Sequence, residues 1–169
     1  MEMTHYMQLL ADNQPWNLLL FMVIPVIFAE TIAVTELYIL FTRNFTGAAK
    51  KINSFAGGFI GVYFLGVFVY LLFTAVVPLT QMGEWRGFAD IIAVGAYLAG
   101  VIPLGGLALL EFGFVKKKSS DEEKLKFHVK CVALFLIVAH VAMIFGMLNP
   151  TVLGWNSGVG ASEVHQMNM

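Results

Sequence analysis

Charge is scarce in this sequence, and cysteine is almost absent. Only 12% of the 169 residues are charged, whereas 59% are apolar. Soluble globular domains carry about twice that share of charge, so the composition excludes this class. The single cysteine, Cys131, excludes an intrachain disulfide and a dithiol exchange enzyme. The sequence also lacks a P-loop, a nucleophile elbow, a His-Glu zinc motif and a basic patch typical of nucleic-acid binding.

Long apolar runs dominate the chain instead. Four of them could each cross a hydrocarbon core of about 30 Å, which takes about 20 helical residues. They cover residues 16–42, 55–79, 87–115 and 127–148. Only helices and closed barrels satisfy their backbone in lipid, and the alternating pattern of barrel strands is absent. We therefore predict one all-α domain over residues 1–169, a polytopic bundle of four transmembrane helices with tails at 1–15 and 149–169.

Lysine and arginine are missing from both tails and nearly missing from the second loop. Nine of the ten lie in or beside the first and third loops: Arg43, Lys50, Lys51, Lys116, Lys117, Lys118, Lys124, Lys126 and Lys130. The positive-inside rule places these two loops in the cytoplasm and both termini outside. The three tryptophans, Trp16, Trp85 and Trp155, would then form a belt at the outer interface. Residues 116–126, which mix both charges, are expected to be a solvated turn.

Ionisable side chains inside the apolar runs are costly and are therefore candidates for function. They are Glu30 and Glu36 in the first run, Glu111 in the third, and His128 and His140 in the fourth. Counting about 1.5 Å per residue from the basic loops places Glu30 and His140 at the same depth, roughly 20 Å. A Glu30–His140 pair is therefore allowed. Glu36, Glu111 and His128 lie nearer the cytoplasm and are assigned proton or supporting roles.

Asp90 begins the third run, where a solvated carboxylate in the first turn of a helix is the expected arrangement. Proline residues are expected to kink two of the helices, at Pro25 and Pro103. Glycine is frequent in the second run at Gly57, Gly58, Gly61 and Gly66, and in the third. Small residues four apart let membrane helices approach closely, so these surfaces serve packing in the chain or self-association into a homo-oligomer.

Methionine is missing from the inner halves of the runs and frequent towards the outer side. Its outer positions are accompanied by histidine in two tail segments, MTHYM at residues 3–7 and HQMNM at residues 165–169. His140, Met143 and Met147 share one face of the fourth run. Thioether and imidazole ligands suit Cu(I), so we predict a copper site that comprises His140, Met143, Met147, His5, Met3, Met7, His165, Met167 and Met169. The competing interpretation is that these methionines fill gaps in the packing.

These patterns lead to three functional hypotheses. The preferred one is a membrane protein that binds copper in its outer half, for metal handling, transport or redox chemistry, with a metal donor or redox partner outside. The second is a b-type haem protein for electron transfer that uses His140 with a methionine or with His5. The third is a proton-coupled permease that uses Glu30. Any enzymatic activity is expected to be of the oxidoreductase type.

Four segments carry a resemblance to known proteins: residues 4–7, the NQPWN at 13–17, the GEWRG at 83–87 and the AHVAMIFGM at 139–147. In these the chain resembles a group of small, uncharacterised bacterial inner-membrane proteins that are loosely labelled permeases. The resemblance implies a multi-pass protein of the bacterial cytoplasmic membrane. It implies no activity and no site residues.

Overall fold

The computed structural model describes residues 3–115 and 119–156, and all regular structure within those ranges is helical. A short helix, α1 (His5–Ala11), precedes four long ones. These are α2 (Trp16–Thr42), α3 (Ala48–Met82), α4 (Gly87–Glu111) and α5 (Asp121–Met147), each long and apolar enough to cross a membrane. A 3₁₀ turn follows at Pro150–Leu153. The predicted all-α bundle of four membrane-spanning helices is confirmed.

Two helices begin earlier than the apolar runs predict, because their first turns are polar. α3 begins at Ala48 and therefore includes Lys50 and Lys51, which were predicted to lie in a loop. α5 begins at Asp121, so the turn predicted for residues 116–126 is helical from this residue onward. The hydroxyl of Ser120 accepts from the backbone N–H of Glu123, and three acidic residues in the first turn favour the positive end of the helix.

The four long helices form a ring in which α2 packs on α3, α3 on α4, α4 on α5, and α5 back on α2. The shared core is aliphatic and aromatic, with Phe64, Ile32, Leu104 and Leu107 fully buried. α1 lies against α4 and α5 at one end. We call this the methionine-rich end, and the end with the α2–α3 and α4–α5 loops the lysine-rich end.

The glycine stripe of α3 is used within the chain. A Cβ atom on Gly61 would overlap the carbonyl oxygen of Leu104 and the side chain of Ala108 on α4. A Cβ atom on Gly57 would lie 3.0 Å from Nε2 of His128 on α5. Gly57 and Gly61 therefore allow α3 to approach its neighbours closely, and they do not form a free surface for a second copy.

Proline interrupts the regular hydrogen bonding of α2, as expected, and the interruption is a π-helical turn at Leu19–Val23. Pro25 has no N–H to donate to the carbonyl of Phe21. The hydroxyl of Tyr97 on α4 donates to that carbonyl oxygen instead, at 2.5 Å. Tyr63 on α3 donates to the neighbouring carbonyl of Leu20 at 2.9 Å. Two tyrosines thus tie the irregular turn of α2 to the adjacent helices.

Replacing Tyr97 by phenylalanine should destabilise the bundle by about 1–2 kcal/mol, because a buried carbonyl loses its donor. Tyr63→Phe is the matched control, since its hydrogen bond is exposed. It should cost less than half as much. The free energy of unfolding in detergent, compared for the two variants, checks this. Equal losses would mean that the Tyr97 hydroxyl does not serve the carbonyl freed by Pro25.

Candidate functional site

Four ionisable side chains from four different helices meet near the lysine-rich end. His128 of α5 is only 1% exposed, and its Nδ1 lies 2.5 Å from Oε1 of Glu36 on α2. Its Nε2 lies 3.0 Å from Oε1 of Glu111 on α4. Nζ of Lys50 on α3 is 3.9 Å from the same Glu111 oxygen. We call these residues, Glu36, His128, Glu111 and Lys50, the carboxylate–histidine cluster.

The cluster lies where helices pack closely and water is scarce. Glu36 is 3% exposed, and Gly57 provides the space in which the His128 ring fits. Nε2 of His128 has no well-aligned hydrogen bond within residues 3–115 and 119–156, although Glu111 is within ion-pair distance. Burying such groups costs desolvation energy that their mutual attraction only partly recovers. An arrangement of this kind inside an apolar bundle therefore indicates a function beyond packing.

One side of the cluster borders an open groove. The groove has a volume of about 670 Å³ and lies between α3 and the end of α4. Its walls are mainly aromatic, with Phe55, Phe59 and Phe112, and the carboxylate of Glu111 borders it beside Ser54. Glu111 therefore lies between His128 in the interior and the groove at the side of the bundle.

The second feature is a cavity of about 230 Å³ at the methionine-rich end. Four of the nine methionines border it: Met7 from α1, Met22 from α2, and Met143 and Met147 from α5. Tyr6 and Gln14 supply its polar atoms. Burial raises the pKa of Tyr6 to about 12, so its hydroxyl stays protonated at neutral pH. We call this space the methionine cavity, and its lining is uncharged.

Thr4, the residue that caps α1, and Tyr6 within it hold the helix against α5 and so close one side of the cavity. The hydroxyl of Thr4 accepts from the backbone N–H of Met7 and donates to the carbonyl of Gly146 at 2.7 Å. A Cβ atom on Gly146 would lie only 2.5 Å from the ring of Tyr6. Glycine at this position therefore lets α1 approach the end of α5, which brings Met7 to Met143 and Met147.

A third contact fixes α1 to α4. Asp90 is fully buried and accepts from the backbone N–H of His5 at 2.7 Å, while its second oxygen lies 2.6 Å from Nδ1 of the same histidine. Arg86 donates to the carbonyl of Met3 at 2.5 Å. Asp90 was predicted to be solvated, and this is wrong, because α1 covers the start of α4. His5 therefore holds α1 in place and does not line the methionine cavity.

Glu30 and His140 do not form the pair that the sequence pattern allowed, and they do not lie at the same depth. From the contact between Glu36 and His128, Glu30 is six residues, about 9 Å, and His140 is twelve residues, about 18 Å, towards the methionine-rich end. Both side chains are exposed, and neither contacts the other. Nδ1 of His140 instead donates to the carbonyl of Leu136 at 2.6 Å. Glu30 lies six residues before Glu36, a rotation that turns it about 120° away from the interior.

His140 shares a face of α5 with Met147 but does not border the methionine cavity. It lies seven residues before Met147, about 10 Å deeper in the bundle, below the point that α1 reaches. Met3 is also outside this lining, with its side chain 44% exposed. The predicted ligands His165, Met167 and Met169 lie outside the described residues.

Comparison with known proteins gives one result. Residues 1–162 match the model of DUF6803, a family of unknown function. The chain belongs to this family. No curated protein and no solved structure matches it. The DUF6803 match includes every described residue of the carboxylate–histidine cluster and the methionine cavity, but it assigns no activity, so function is argued from the two sites.

Several site residues of this DUF6803 chain were not among the predicted ones. Met22 lies in the half of α2 at the methionine-rich end, as the methionine distribution indicated, but no spacing rule connects it to Met143. Lys50 was assigned only to a loop, Asp90 was expected to be a solvated carboxylate, and Tyr6 gave no signal. In the described part of the chain, no group of three or more His, Cys, Asp or Glu side chains is arranged to hold a metal. Methionine thioethers, which border the methionine cavity, are not among these four side-chain types.

Proposed function

We propose that this protein binds Cu(I) in the methionine cavity, on the outer side of a bacterial cytoplasmic membrane, for copper handling or redox chemistry. The observation that carries the proposal is that methionines from three helices border one small cavity. Thioethers are soft ligands that favour Cu(I) over Mg²⁺, Ca²⁺ and other hard ions. Met143 and Met147, four residues apart on α5, lie on one face as two donors of a site require.

The uncharged lining supports a monovalent soft ion. Its residues include no carboxylate, and Tyr6 keeps its proton, so a hard dication would find no anionic ligand there. Gln14 offers a neutral amide. Met147 is 68% exposed and provides an entry from the surface. The proposed site is thus smaller than the sequence-based one: it keeps Met7, Met143 and Met147, adds Met22, and leaves His140 outside.

The proposed orientation places the methionine-rich end outside the cell, as the positive-inside rule favours. Metal donors or redox partners on that side would then meet Met147, and the HQMNM segment at residues 165–169 would share their compartment. The lysine-rich end, with the carboxylate–histidine cluster, would face the cytoplasm.

Purified protein titrated with Cu(I) against a chromophoric chelator should take up about one equivalent, and Ag(I) but not Zn(II) should compete. X-ray absorption should show a first coordination shell of sulfur. An absorption spectrum of the same sample tests the haem hypothesis through its Soret band. Absence of Cu(I) binding in a folded sample would overturn the copper proposal, and a Soret band would favour haem.

A second candidate function is proton transfer coupled to transport, and the carboxylate–histidine cluster favours it. The sequence pattern favoured Glu30 as the proton carrier, but Glu36 rather than Glu30 is buried, and it contacts a buried imidazole. Glu36, His128 and Glu111 are near enough to exchange protons between α2 and the groove beside α4. This function is compatible with copper binding at the opposite end, since the two sites share no residue.

A further inference from the structure

A further pocket lies at the lysine-rich end, between the end of α2 and the first turns of α5, with a volume of about 430 Å³. Three basic residues border it, Arg43, Lys126 and Lys130, together with one acidic residue, Glu122. These four side chains carry a net charge of +2 at neutral pH. We call this space the basic pocket. It shares no residue with the carboxylate–histidine cluster or the methionine cavity.

The packing of α5 on α2 brings the charged residues of the basic pocket together. Nη1 of Arg43, just after α2, donates to Oε1 of Glu122 in the first turn of α5 at 2.9 Å. Glu122, Lys126 and Lys130 follow one another at four-residue spacing, so they lie along one side of α5. The ion pair thus joins the two helices at the end of the bundle, and the two lysines border the pocket from the next turns of α5.

Lys126 and Lys130 have no acidic partner within the chain. Both side chains are exposed, and among residues 3–115 and 119–156 no carboxylate lies within ion-pair distance of either one. Lys130 is nine residues, about 14 Å, from the start of α5, and it lies inside the apolar run 127–148. A lysine at such a depth is costly unless water or an anion meets its ammonium group. The basic pocket therefore presents charge that the described residues do not neutralise.

The remaining border of the basic pocket is hydrophobic. It is formed by two residues from the α2 side and two from α5: Leu40, Phe45, Leu125 and Val129. Towards the middle of the bundle, Ile137 follows Lys130 by seven residues and is therefore only about 20° from it around α5. The side chain of Ile137 is 61% exposed. An apolar strip thus continues from the pocket along the outer surface of α5.

We propose that the basic pocket binds the head group of an anionic phospholipid from the leaflet at the lysine-rich end. The phosphodiester accepts from the ammonium groups of Lys126 and Lys130, and an acyl chain lies along the apolar strip towards Ile137. Basic pockets between membrane helices suit such head groups, because they combine positive charge with access from the bilayer. The apolar strip favours a lipid over a soluble phosphate, which has no apolar part. This site is independent of the copper and proton proposals.

Native mass spectrometry of protein stripped of lipid in a neutral detergent tests the proposal. Phosphatidylglycerol should bind more tightly than phosphatidylcholine with the same acyl chains, because the latter head group is zwitterionic. A lysine near a membrane surface contributes about fivefold to the attraction of anionic lipid. Lys126→Gln/Lys130→Gln should therefore bind phosphatidylglycerol about 25-fold more weakly. Lys126→Arg/Lys130→Arg, which keeps the charge, should stay close to the wild-type affinity.

A matched variant separates the pocket from the general charge of this end. Lys51→Gln/Lys124→Gln removes the same charge from lysines that do not border the pocket, and it should keep the wild-type affinity. An equal loss in this control, or equal binding of the two lipids by the wild-type protein, would overturn the proposal. Inorganic phosphate at the lipid concentration should not displace phosphatidylglycerol. Displacement would show a site for soluble phosphate and would contradict the lipid assignment.

Glu122→Gln should act in the opposite direction. It removes a carboxylate that borders the pocket and releases Arg43 from its ion pair, so phosphatidylglycerol should bind about fivefold more tightly. Glu123→Gln removes the same charge one residue further on, outside the border of the pocket, and should change the affinity little. Equal effects of the two variants would mean that the lipid responds only to net charge, and the proposal would fail.

Discussion

A chain with Met7→Leu and Met143→Leu is expected to bind Cu(I) at least 100-fold more weakly than the wild-type protein. Leucine keeps the volume of methionine and removes the sulfur, so the cavity should stay packed while two ligands are lost. Groups that merely support a ligand contribute about 10–100-fold to metal affinity, so loss of two ligands should exceed that range. Competition with a Cu(I) chelator measures the change.

Matched control variants show whether the loss of Cu(I) affinity is specific to the methionines that border the cavity. Met3→Leu and Met82→Leu remove exposed thioethers that do not border the cavity, and both should bind like the wild type. His140→Ala should also keep full affinity. A loss in His140→Ala with no loss in the cavity variant would restore the site that the sequence alone favoured, and would contradict the one proposed from the structure.

Replacing Glu36 by alanine should destabilise the protein by about 3–5 kcal/mol, because it leaves the imidazole of His128 buried without its nearest acidic partner. The double variant Glu36→Leu/His128→Leu removes both members together. Buried ion pairs replaced by apolar residues are often neutral for stability, so the double variant should recover most of the loss. Unfolding free energies of Glu36→Leu, His128→Leu and the double variant measure this coupling.

The same variants distinguish a structural from a proton-carrying cluster. The double variant should keep most of the stability of the wild-type protein. Proteoliposomes that contain it should nevertheless show no proton movement across the membrane, as measured with a pH-sensitive dye inside the vesicles. The Met82→Leu variant, whose exposed side chain borders neither the groove nor the cluster, serves as the folded control. If proton movement persisted in the double variant, the cluster would have a structural role only, and the proposal of proton-coupled transport would be contradicted.

The sequence was sufficient for the four long helices, but not for the short helix α1, for the register of the helices against one another, or for the direction in which each polar side chain points. Glu30 and Glu36 are both carboxylates in one apolar run, and depth alone made Glu30 the partner of His140. Which of them faces the interior depends on how α2 is rotated in the bundle. That rotation is set by packing against α3 and α5 and by the irregular turn before Pro25, and none of these leaves a periodic signal in a helix that is apolar on all sides.

The methionine distribution likewise predicted only part of the cavity lining. Spacing placed Met143 and Met147 on one face, which the cavity lining agrees with. Met22 joins them because α2 packs on α5, and Met7 joins them only because α1 folds back onto α5. A seven-residue helix has no stability of its own that would predict its position. Its docking depends on single contacts, from Thr4 to Gly146 and from His5 to Asp90, that only a folded structure brings together.

Because α1 supplies Met7 while α5 supplies Met143 and Met147, the methionine cavity is complete only while α1 is docked. Any ion held by both helices must therefore stabilise docking, and docking must raise the affinity for that ion by the same factor. Breaking the contact between His5 and Asp90, which touches no thioether, should therefore lower the metal affinity of the proposed site. Residues 3–11 are accordingly coupled to the proposed site, and a fusion partner attached before them should change metal binding as well as folding.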